Sequence, residues 1–512
     1  MAAPTEKLAQ SLSALKVVQE TGRTAIHTSS LSRTHRERLL KNGFIQEIMK
    51  GWYVPSRPDD KPGESTAWYA SFWGFCSDYL DYRFSESWCL SPEQSLNLHT
   101  GNWSIPRQLL VRTPKGGNKP ISLPHDTSLF DLRLALPHED FIVVLENMRI
   151  LSLPMALVNC PPPYFKSQPL EIRAALSMIN EPSDLLRILL EGHHNTIAGR
   201  LAGAFRNIGR EKIADEILDT MISAGHKTIE RNPFEQPSPI IFKPREISPY
   251  VNRFKMQWET YRQPVIDNFL PAPNASVTKQ AYLKSIDEIY TSDAYHSLSI
   301  EGYRVTTELI DKVKRGNWNP DQREEDSQQR DALAARGYWQ AFQAAKKTIA
   351  EILDGENPGA VVEKDYSRWY RELFGPSVAA GIIKAGDLAG FRNQPVYIRQ
   401  SMHTPPSSEA VRDLIPAFFE LLQSEENAAV RVVLGHFFFV YIHPYIDGNG
   451  RMARFLMNAM AASGGYPWIV VPVEQRSRYM HTLESASVQN NIVPFTLLLA
   501  ELLAGVKHKH IG

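Results

Sequence analysis

A cluster of prolines divides this chain near its middle. Between Arg231 and Tyr250 the sequence carries Pro233, Pro237, Pro239, Pro244 and Pro249. Each proline fixes φ and removes a backbone donor, so neither a long helix nor an inner strand runs through such a stretch. We therefore predict a linker over 231–250, with separate folded regions before and after it.

The composition is that of a large folded protein without a dominant charge. The chain has 512 residues, 43% hydrophobic and 10% aromatic, enough for large cores and about three domains. Lys plus Arg and Asp plus Glu each number 56, which excludes a histone-like or polyanion-coating protein but allows a local basic patch. The three cysteines, Cys76, Cys89 and Cys160, form no C-x-x-C pair, so neither a disulfide framework nor a zinc ribbon is expected.

The sequence indicates neither export nor a membrane span. Met1–Glu6 lacks the basic segment and apolar core of a signal peptide. The most apolar run, Val432–Ile442, is interrupted by His436 and is too short to cross a bilayer. We expect a cytoplasmic protein with no membrane partner.

The first sixty residues have the element order of a winged helix. Apolar side chains at helical spacing predict a first helix: Leu8, Leu12, Leu15 and Val18. A second helix is predicted over 32–42, with Gly43 as its C-terminal stop. Residues 44–54 alternate loosely and turn at Lys50-Gly51, which predicts a hairpin.

Basic side chains dominate this region and indicate DNA binding. Between residues 21 and 57 only Glu37 and Glu47 oppose a basic set: Arg23, Arg33, Arg36, Arg38, Lys41, Lys50 and Arg57. The candidate DNA-binding residues are those early on the second helix and the lysine of the turn: Arg33, His35, Arg36 and Lys50. The alternative is a solvated basic helix in a protein-contact module.

The N-terminal half resembles AbiEi-like antitoxin and regulator proteins. The resemblance rests on Gly43, on the turn Lys50-Gly51-Trp52-Tyr53-Val54, and on the helix Ala198–Arg206. It implies a winged helix over 1–60, a mixed α/β region over 61–230, DNA binding and a link to toxin–antitoxin systems. Gly199 and Gly203 in that helix predict close packing, and His193-His194 has no partner at metal-ligand spacing.

Nearly all of residues 251–505 is predicted to be helical. The expected helices cover 250–269, 278–292, 305–315, 324–353, 408–423, 428–442, 451–463, 476–487 and 495–503. The exception is Gln394–Arg399, a short β-prone segment before Pro405-Pro406.

One stretch carries most of the chemical information: His443-Pro-Tyr-Ile-Asp-Gly-Asn-Gly-Arg-Met-Ala-Arg454. Pro444 disfavours helical geometry at His443, so the helix over 428–442 ends there and His443 enters a loop. Gly448 and Gly450 let the backbone turn and expose its amides, and the next helix starts near Gly450. The unpaired amides and positive dipole end of that helix form an anion site.

Charged residues at the loop predict a nucleotide-phosphate site. Arg451 and Arg454 are three residues apart and share one face of the first helical turn. Asp447 would repel a phosphate unless a cation such as Mg²⁺ lies between them. A base, a metal ligand, a phosphate cradle and two guanidinium groups suit attack of a hydroxyl on a nucleotide phosphate. The alternative is a capped turn with a partly buried histidine.

This stretch resembles the signature loop of the Fic (Fido) family, H-P-F-x-D/E-G-N-G-R-x-x-R, with Tyr445 in place of Phe. The resemblance implies an all-helical core and transfer of AMP from ATP to a protein hydroxyl. It makes His443 the general base and Asp447 the Mg²⁺ ligand. The implied phosphate-binding residues are Gly448, Asn449, Gly450, Arg451 and Arg454, and Tyr479 and Met480 lie near the adenine.

The resemblance extends to two segments upstream of the loop. Ser297-Leu-Ser-Ile-Glu301-Gly302 is similar to the family's inhibitory motif, S/T-x-x-x-E-G, in which Glu301 would reach Arg454 and displace the γ-phosphate. The segment Val396-Tyr397-Ile398-Arg399 is similar to the flap that aligns a target peptide, here expected as a short exposed strand. A structural hairpin is the alternative for that segment.

The sequence thus predicts a mainly α protein with an all-helical Fic core in its C-terminal half and a winged helix and mixed α/β region before it. The predicted function is transfer of AMP from ATP, with Mg²⁺, to Ser, Thr or Tyr of a target protein or of itself, inhibited in cis by Glu301. Two alternatives stay open: a nucleotide-sensing transcriptional repressor and an enzyme that removes AMP. DNA is an expected partner, and a homodimer is left open.

Overall fold

The computed structural model describes residues 4–58, 65–180, 182–238, 248–273, 277–316, 326–383 and 390–509. The chain divides into two compact units. The first comprises Met1–Arg253 and Tyr397–Thr404, and the second comprises Phe254–Val396 and Pro405–Gly512. Part of the predicted linker, 239–247, lies outside the described residues.

The first unit begins with two helices and a three-stranded antiparallel sheet. In chain order these are α1 (Pro4–Glu20), β1 (Ile26–His27), α2 (Arg33–Lys41), β2 (Ile45–Met49) and β3 (Trp52–Pro55). β3 lies between β1 and β2. Gly43 follows α2 with φ +73° and Gly51 turns the hairpin with φ +84°, both in the left-handed region where glycine has no steric cost. Leu15, Leu39 and Tyr53 belong to the small core between these elements.

The rest of the first unit mixes helices with a second sheet. It contains α3 (Thr66–Phe84), β4 (Cys89–Leu90), α4 (Pro92–His99), β5 (Gln108–Thr113), β6 (Pro120–Ser122), β7 (Ser128–Arg133), β8 (Ile142–Leu145), β9 (Met148–Leu151), α5 (Leu153–Asn159), α6 (Pro162–Ser167), α7 (Pro169–Ser177), α8 (Ser183–Glu191), α9 (Asn195–Asn207) and α10 (Glu211–Ser223). The sheet order is β4-β5-β7-β6, with β5 and β7 parallel, and β8 and β9 form a separate hairpin.

The glycines of α9 allow a close approach of backbone, as the sequence predicts. A Cβ on Gly199 would lie 2.0 Å from the carbonyl oxygen of Ile229, and one on Gly203 would lie 2.3 Å from that of Arg231. The neighbouring segment lies outside any helix or strand and is therefore not a second helix.

The second unit is helical, and the prediction of a mainly α protein is confirmed. Its helices are α11 (Pro249–Asn268, which begins in the first unit), α12 (Lys279–Ile300), α13 (Thr307–Lys314), α14 (Asp326–Leu353), α15 (Pro358–Ala379), α16 (Ser408–Ser424), α17 (Ala428–Ile442), α18 (Asn449–Ser463), α19 (Arg476–Gln489) and α20 (Val493–Lys509). Within its described residues this unit has no β-strand. The sequence missed α15. No helix of the described chain is both long and apolar enough to cross a membrane.

The core of the second unit positions the loop at 443–448. α17 is buried along almost its whole circumference, which is typical of a central helix. α18 packs against α17, and its Phe455 ring lies 4.9 Å from that of Tyr338 in α14 and 6.4 Å from that of Trp369 in α15. The loop therefore joins two fully packed helices, which fixes both of its ends.

Candidate active site

The loop begins where α17 ends, at His443. This residue adopts φ 52° and ψ 59°, and its N–H donates to the carbonyl of Phe439 at 3.1 Å. Pro444 disfavours the right-handed helical region at the residue before it, so the left-handed cap follows from the sequence. The cap turns the chain, and the His443 side chain, out of the helical path.

A buried asparagine stabilises the loop by hydrogen bonds to its backbone. The Asn449 side chain is 2% exposed; its Oδ1 accepts from Tyr445 N–H at 3.0 Å and its Nδ2 donates to Tyr445 C=O at 2.8 Å. Both polar ends of the amide are therefore engaged within the loop. The sequence prediction that Asn449 holds phosphate applies at most to its backbone N–H.

Two residues that the sequence analysis missed support the loop. The backbone N–H of Arg392 donates to the carbonyl of Pro444 at 2.9 Å, and its side-chain Nε donates to the carbonyl of His443 at 2.8 Å. The ring of Tyr370 stacks on Tyr445 with centroids 3.7 Å apart, which accounts for an aromatic residue at that position of the loop. Arg392 precedes His443 by 51 positions, so no local spacing connects it with the loop.

His443 is set up to accept a proton. Its Nδ1 lies 3.1 Å from the carbonyl of Val440, and because a carbonyl only accepts, Nδ1 carries the hydrogen. Nε2 then keeps its lone pair. Burial, reinforced by the positive charge of Arg392 and opposed by the Val440 carbonyl, lowers the pKa of His443 to about 4. The imidazole is therefore neutral near pH 7 and available as a base.

Glycines shape the start of α18. Gly448 has φ +83°, and a Cβ on it would lie 2.7 Å from Cε2 of Phe374. A Cβ on Gly450 would lie 2.5 Å from Oε1 of Glu301. The first amides of α18 have no partner inside the helix, and its dipole adds positive potential there. An anion therefore finds a favourable site at this end.

Two buried arginines line the same helix end. Arg451 and Arg454 are 1% and 3% exposed. Over the part of the chain that the structure describes, Arg451 Nε and Arg454 Nη1 are buried without an acceptor. An unpaired buried donor is costly, and a charged one more so. These two orphaned N–H groups fit a site for an anion.

The predicted inhibitory pair is brought together. Arg454 donates from Nη2 to Glu301 Oε1 at 2.6 Å and from Nε to Ser297 Oγ at 2.8 Å. Ser297 lies in the last turn of α12, Glu301 caps that helix, and Gly302 follows with φ +89°. The end of α12 thus places a carboxylate on the arginine that the sequence assigns to the outer phosphate.

A polar cavity of about 210 Å³ lies beside these groups. Its lining residues are Glu301, Gly302, Tyr303, Arg330, Asp331 and Asp447. Asp447 is largely exposed; its Oδ1 accepts from Gly448 N–H at 2.6 Å and its Oδ2 lies 3.2 Å from Arg451 Nη2. The carboxylate that the sequence assigns to Mg²⁺ therefore faces solvent at the edge of the arginine pair.

The region that contains this site also matches a known protein family. Residues 362–461 match the model of the Fic/DOC family, and this span contains α17, the loop and most of α18. This region is a Fic domain. The match lies inside the 251–505 range expected from the sequence.

Curated relatives of the Fic domain carry the name protein adenylyltransferase Fic. The protein from Drosophila virilis is 29% identical over 218 residues, and that from Drosophila grimshawi is 30% identical over the same length. Each match covers 42% of this chain and 41% of the relative, so the chain spans about two-fifths of the length of these proteins.

Solved structures of Fic proteins are also similar. Fic-1 from C. elegans is 17% identical with a TM-score of 0.38, covering 68% of this chain and 98% of that one. A Fic-domain-containing signaling protein from Bacteroides thetaiotaomicron is 19% identical with a TM-score of 0.35, covering 48% and 92% of the two chains.

The residues expected near adenine lie on α19 of the second unit. Tyr479 is 1% exposed, and its hydroxyl lies 2.7 Å from Nε2 of the buried His436. Met480, the next residue, is half-buried. The Tyr479 hydroxyl is thus already engaged, and contact of either side chain with adenine stays a prediction.

The expected strand over Gln394–Arg399 is wrong. The structure has no strand there, and a turn follows at Arg399-Gln400, where Gln400 has φ +60°. Val396 ends one part of the second unit, whereas Tyr397, Ile398 and Arg399 belong to the first. Within the first unit, Met402 accepts from Ile105 N–H at 2.8 Å and packs on the unit's main apolar cluster. Pro395 lacks a donor for a ladder, which explains the failure.

Three of the four predicted DNA-binding residues have structural contacts. Arg36 donates to the carbonyl of Thr28 at 3.0 Å and lies over the ring of Tyr53, and Nδ1 of His35 lies 2.9 Å from Ser11 Oγ. Arg33 is exposed and paired with Glu37 at 2.7 Å. Lys50 is exposed on the hairpin turn. Of these four residues, Arg33 on α2 and Lys50 on the hairpin are therefore the exposed ones.

Proposed function

We propose that this chain is a protein adenylyltransferase, which transfers AMP from ATP to the hydroxyl of a Ser, Thr or Tyr side chain. The observation that carries the proposal is the neutral His443, with Nε2 unprotonated, together with two buried arginines at the start of α18 that each keep one N–H group without an acceptor among the described residues. The names of the curated relatives support it.

In the proposed reaction the target hydroxyl attacks the α-phosphorus of ATP. His443 Nε2 takes the hydroxyl proton, the bond from the α-phosphorus to the bridging oxygen breaks, and pyrophosphate leaves. Backbone amides at the start of α18 and the guanidinium groups of Arg451 and Arg454 stabilise negative charge on the phosphates. Asp447 would hold Mg²⁺, which neutralises phosphate charge when bound. A single carboxylate is enough for this ion, because Mg²⁺ usually keeps several water ligands and binds the substrate phosphates as well.

The proposed resting state is inhibited by the end of α12. Glu301 occupies Nη2 of Arg454 with a charge-assisted hydrogen bond, and its negative charge repels a phosphate that approaches the same guanidinium. Ser297 holds Nε and thereby keeps the guanidinium turned towards the helix end. ATP then binds without the outer-phosphate contact that aligns its α-phosphate.

Incorporation of labelled AMP into protein tests this proposal. Glu301→Gln and Glu301→Gly should both raise incorporation above wild type, whereas Glu288→Gln, a largely exposed glutamate on the same helix, should not. Adding His443→Ala to Glu301→Gly should lower the rate by about 10²–10⁴, the value of a positioned base. Arg454→Ala should stay inactive with or without Glu301. Equal incorporation by Glu301→Gly and its His443→Ala double variant would overturn the assignment of the base.

We also propose that residues 4–58 form a winged helix that binds DNA. The two helices, the central strand β3 and the hairpin with exposed Lys50 support the proposal. Lys41, at the end of α2, is exposed as well. The proposed DNA contacts are therefore the hairpin turn and the exposed basic residues of α2.

A further inference from the structure

The ring of Tyr303 lies over a guanidinium of the active site. Tyr303 follows Glu301-Gly302 in the turn between α12 and α13. The Arg451 guanidinium carbon is 5.2 Å from the centroid of Tyr303 and 5.0 Å from that of Phe374 in α15. Two aromatic rings from different elements thus contact one buried cation. Neither ring lies in a motif that the sequence marks as functional.

Arg451 needs such support because its polar partners do not fix its orientation. Its carboxylate partner in the described structure, Asp447, is 59% exposed and contacts only Nη2, at 3.2 Å. Nε is buried without an acceptor. An arginine side chain has much rotamer freedom, and an exposed carboxylate restrains it weakly. An aromatic ring over a desolvated guanidinium attracts it and also defines its plane.

We propose that Tyr303 is a positioning residue for the nucleotide phosphates, which acts by holding Arg451. Its ring keeps the guanidinium in the buried orientation in which Nη2 contacts Asp447 and Nε–H is left for a phosphate. The inference rests on the proposed function only in taking nucleotide phosphates as the ligand of Arg451.

The position of Tyr303 gives this role a further consequence. Glu301 contacts Arg454, and two residues later Tyr303 contacts Arg451. One short segment after α12 therefore contacts both arginines, with opposite effects on phosphate binding. The Glu301 carboxylate competes with a phosphate for Arg454, and the Tyr303 ring orients the Arg451 guanidinium to bind one. Arg330 in α14 also lies over the Tyr303 ring, at 5.7 Å, so the route through Arg451 must be separated from a route through Arg330.

The affinity for ATP with Mg²⁺, measured by calorimetry on the full chain carrying Glu301→Gly together with His443→Ala so that no AMP is transferred, tests the proposal. Tyr303→Leu should raise the Kd about 3- to 30-fold, the range of a cation–π contact, whereas Tyr303→Phe should bind like its parent. In Glu301→Gly alone, KM for ATP should rise with little change in kcat, as for an interaction made equally in the ground and transition states. Tyr295→Leu, which removes a partly buried ring that does not lie over Arg451, is the matched control.

Double variants identify the route. If Tyr303 acts through Arg451, Tyr303→Leu should have no further effect in an Arg451→Gln background and its full effect in an Arg330→Gln background. Unchanged affinity in Tyr303→Leu, an equal loss in Tyr303→Phe, or additivity with Arg451→Gln would overturn the proposal. If Tyr303→Leu does not fold, Tyr303→Met is judged by the same comparisons. Since binding is measured without transfer, failure of the adenylyltransferase assignment would be seen separately, as absence of labelled protein.

Discussion

At the scale of single residues, the proton-accepting state of His443 is set by its surroundings. The Val440 carbonyl selects the tautomer, and burial together with Arg392 disfavours the charged form. Arg392 also donates to the carbonyl of His443 itself. One arginine outside the signature loop therefore both holds the backbone of the loop and adds to the effect of burial on the charge of its base.

The lowered pKa of His443 predicts a specific titration. Its folded value of about 4 lies below the ordinary 6.5, so the fold favours the neutral form; this contribution to stability is complete above pH 6.5 and is lost as the pH falls towards 4. In ¹⁵N spectra of the histidine side chains, the resonances absent from His443→Ala should stay those of a neutral ring from pH 8 to about 5.5.

Arg392→Gln should raise the pKa of His443, because it removes the positive charge that opposes protonation. Titration of wild-type His443 near pH 6.5 would contradict this account of the base, and so would an unchanged value in Arg392→Gln.

At the scale of elements, the turn between α17 and α18 depends on one glycine. Gly448→Ala places a Cβ at φ +83° and 2.7 Å from the Phe374 ring. The left-handed backbone alone costs about 1–2 kcal/mol, and the contact adds to it. We expect a lower melting temperature and loss of AMP transfer in the Glu301→Gly background.

Gly375→Ala is the matched control for Gly448→Ala. Gly375 lies inside α15, and a Cβ on it meets nothing within 4 Å. Alanine there should leave transfer unchanged and stabilise the helix by about 0.4–1 kcal/mol. Equal melting temperatures for the two variants would show that the loop tolerates a side chain at 448.

The elements show which local signals predict structure. α17 and α18 were predicted from a long apolar run, from the proline that ends the first helix and from the glycines of the loop that follows. These signals are local properties of the sequence. α15 was missed because Gly359, Gly375 and Pro376 resemble helix breakers, yet the helix runs through all three. The β-prone residues Val396 and Ile398 did not form a strand, since a strand also needs a partner that the sequence does not specify.

The same distinction applies to the site. The loop residues were predicted because they are contiguous, and Ser297 and Glu301 because of a family pattern. Arg392, Tyr370 and Tyr303 were not predicted, because each contacts the loop or Arg451 only in the folded chain. An aromatic or basic residue at such distances along the chain carries no spacing that marks it.

At the scale of the whole molecule, a net charge of zero conceals an uneven distribution. The 56 basic and 56 acidic residues balance over the chain, yet residues 21–57 are basic. Structural contacts engage part of that charge, since Arg36 and Arg38 donate to backbone carbonyls within the first unit. The charge that remains for a polyanion lies on exposed side chains such as Lys41 and Lys50.

This distribution makes a graded prediction for DNA binding by the full chain. With a labelled mixed-sequence duplex, log Kobs should fall with log salt by about 0.9 per phosphate contact between ~50 and ~200 mM. Lys41→Gln with Lys50→Gln should reduce the slope by up to about 1.8, two contacts, at an unchanged melting temperature.

Arg36→Gln should instead lower the melting temperature, because it removes the hydrogen bond to Thr28 and the contact with Tyr53. Arg33→Gln should reduce the salt slope by less than a full contact and leave the melting temperature nearly unchanged, since a phosphate can replace Glu37 in an exposed pair. If the folded chain binds no duplex at ~50 mM salt, where such contacts are strongest, the basic helix serves contact with protein instead.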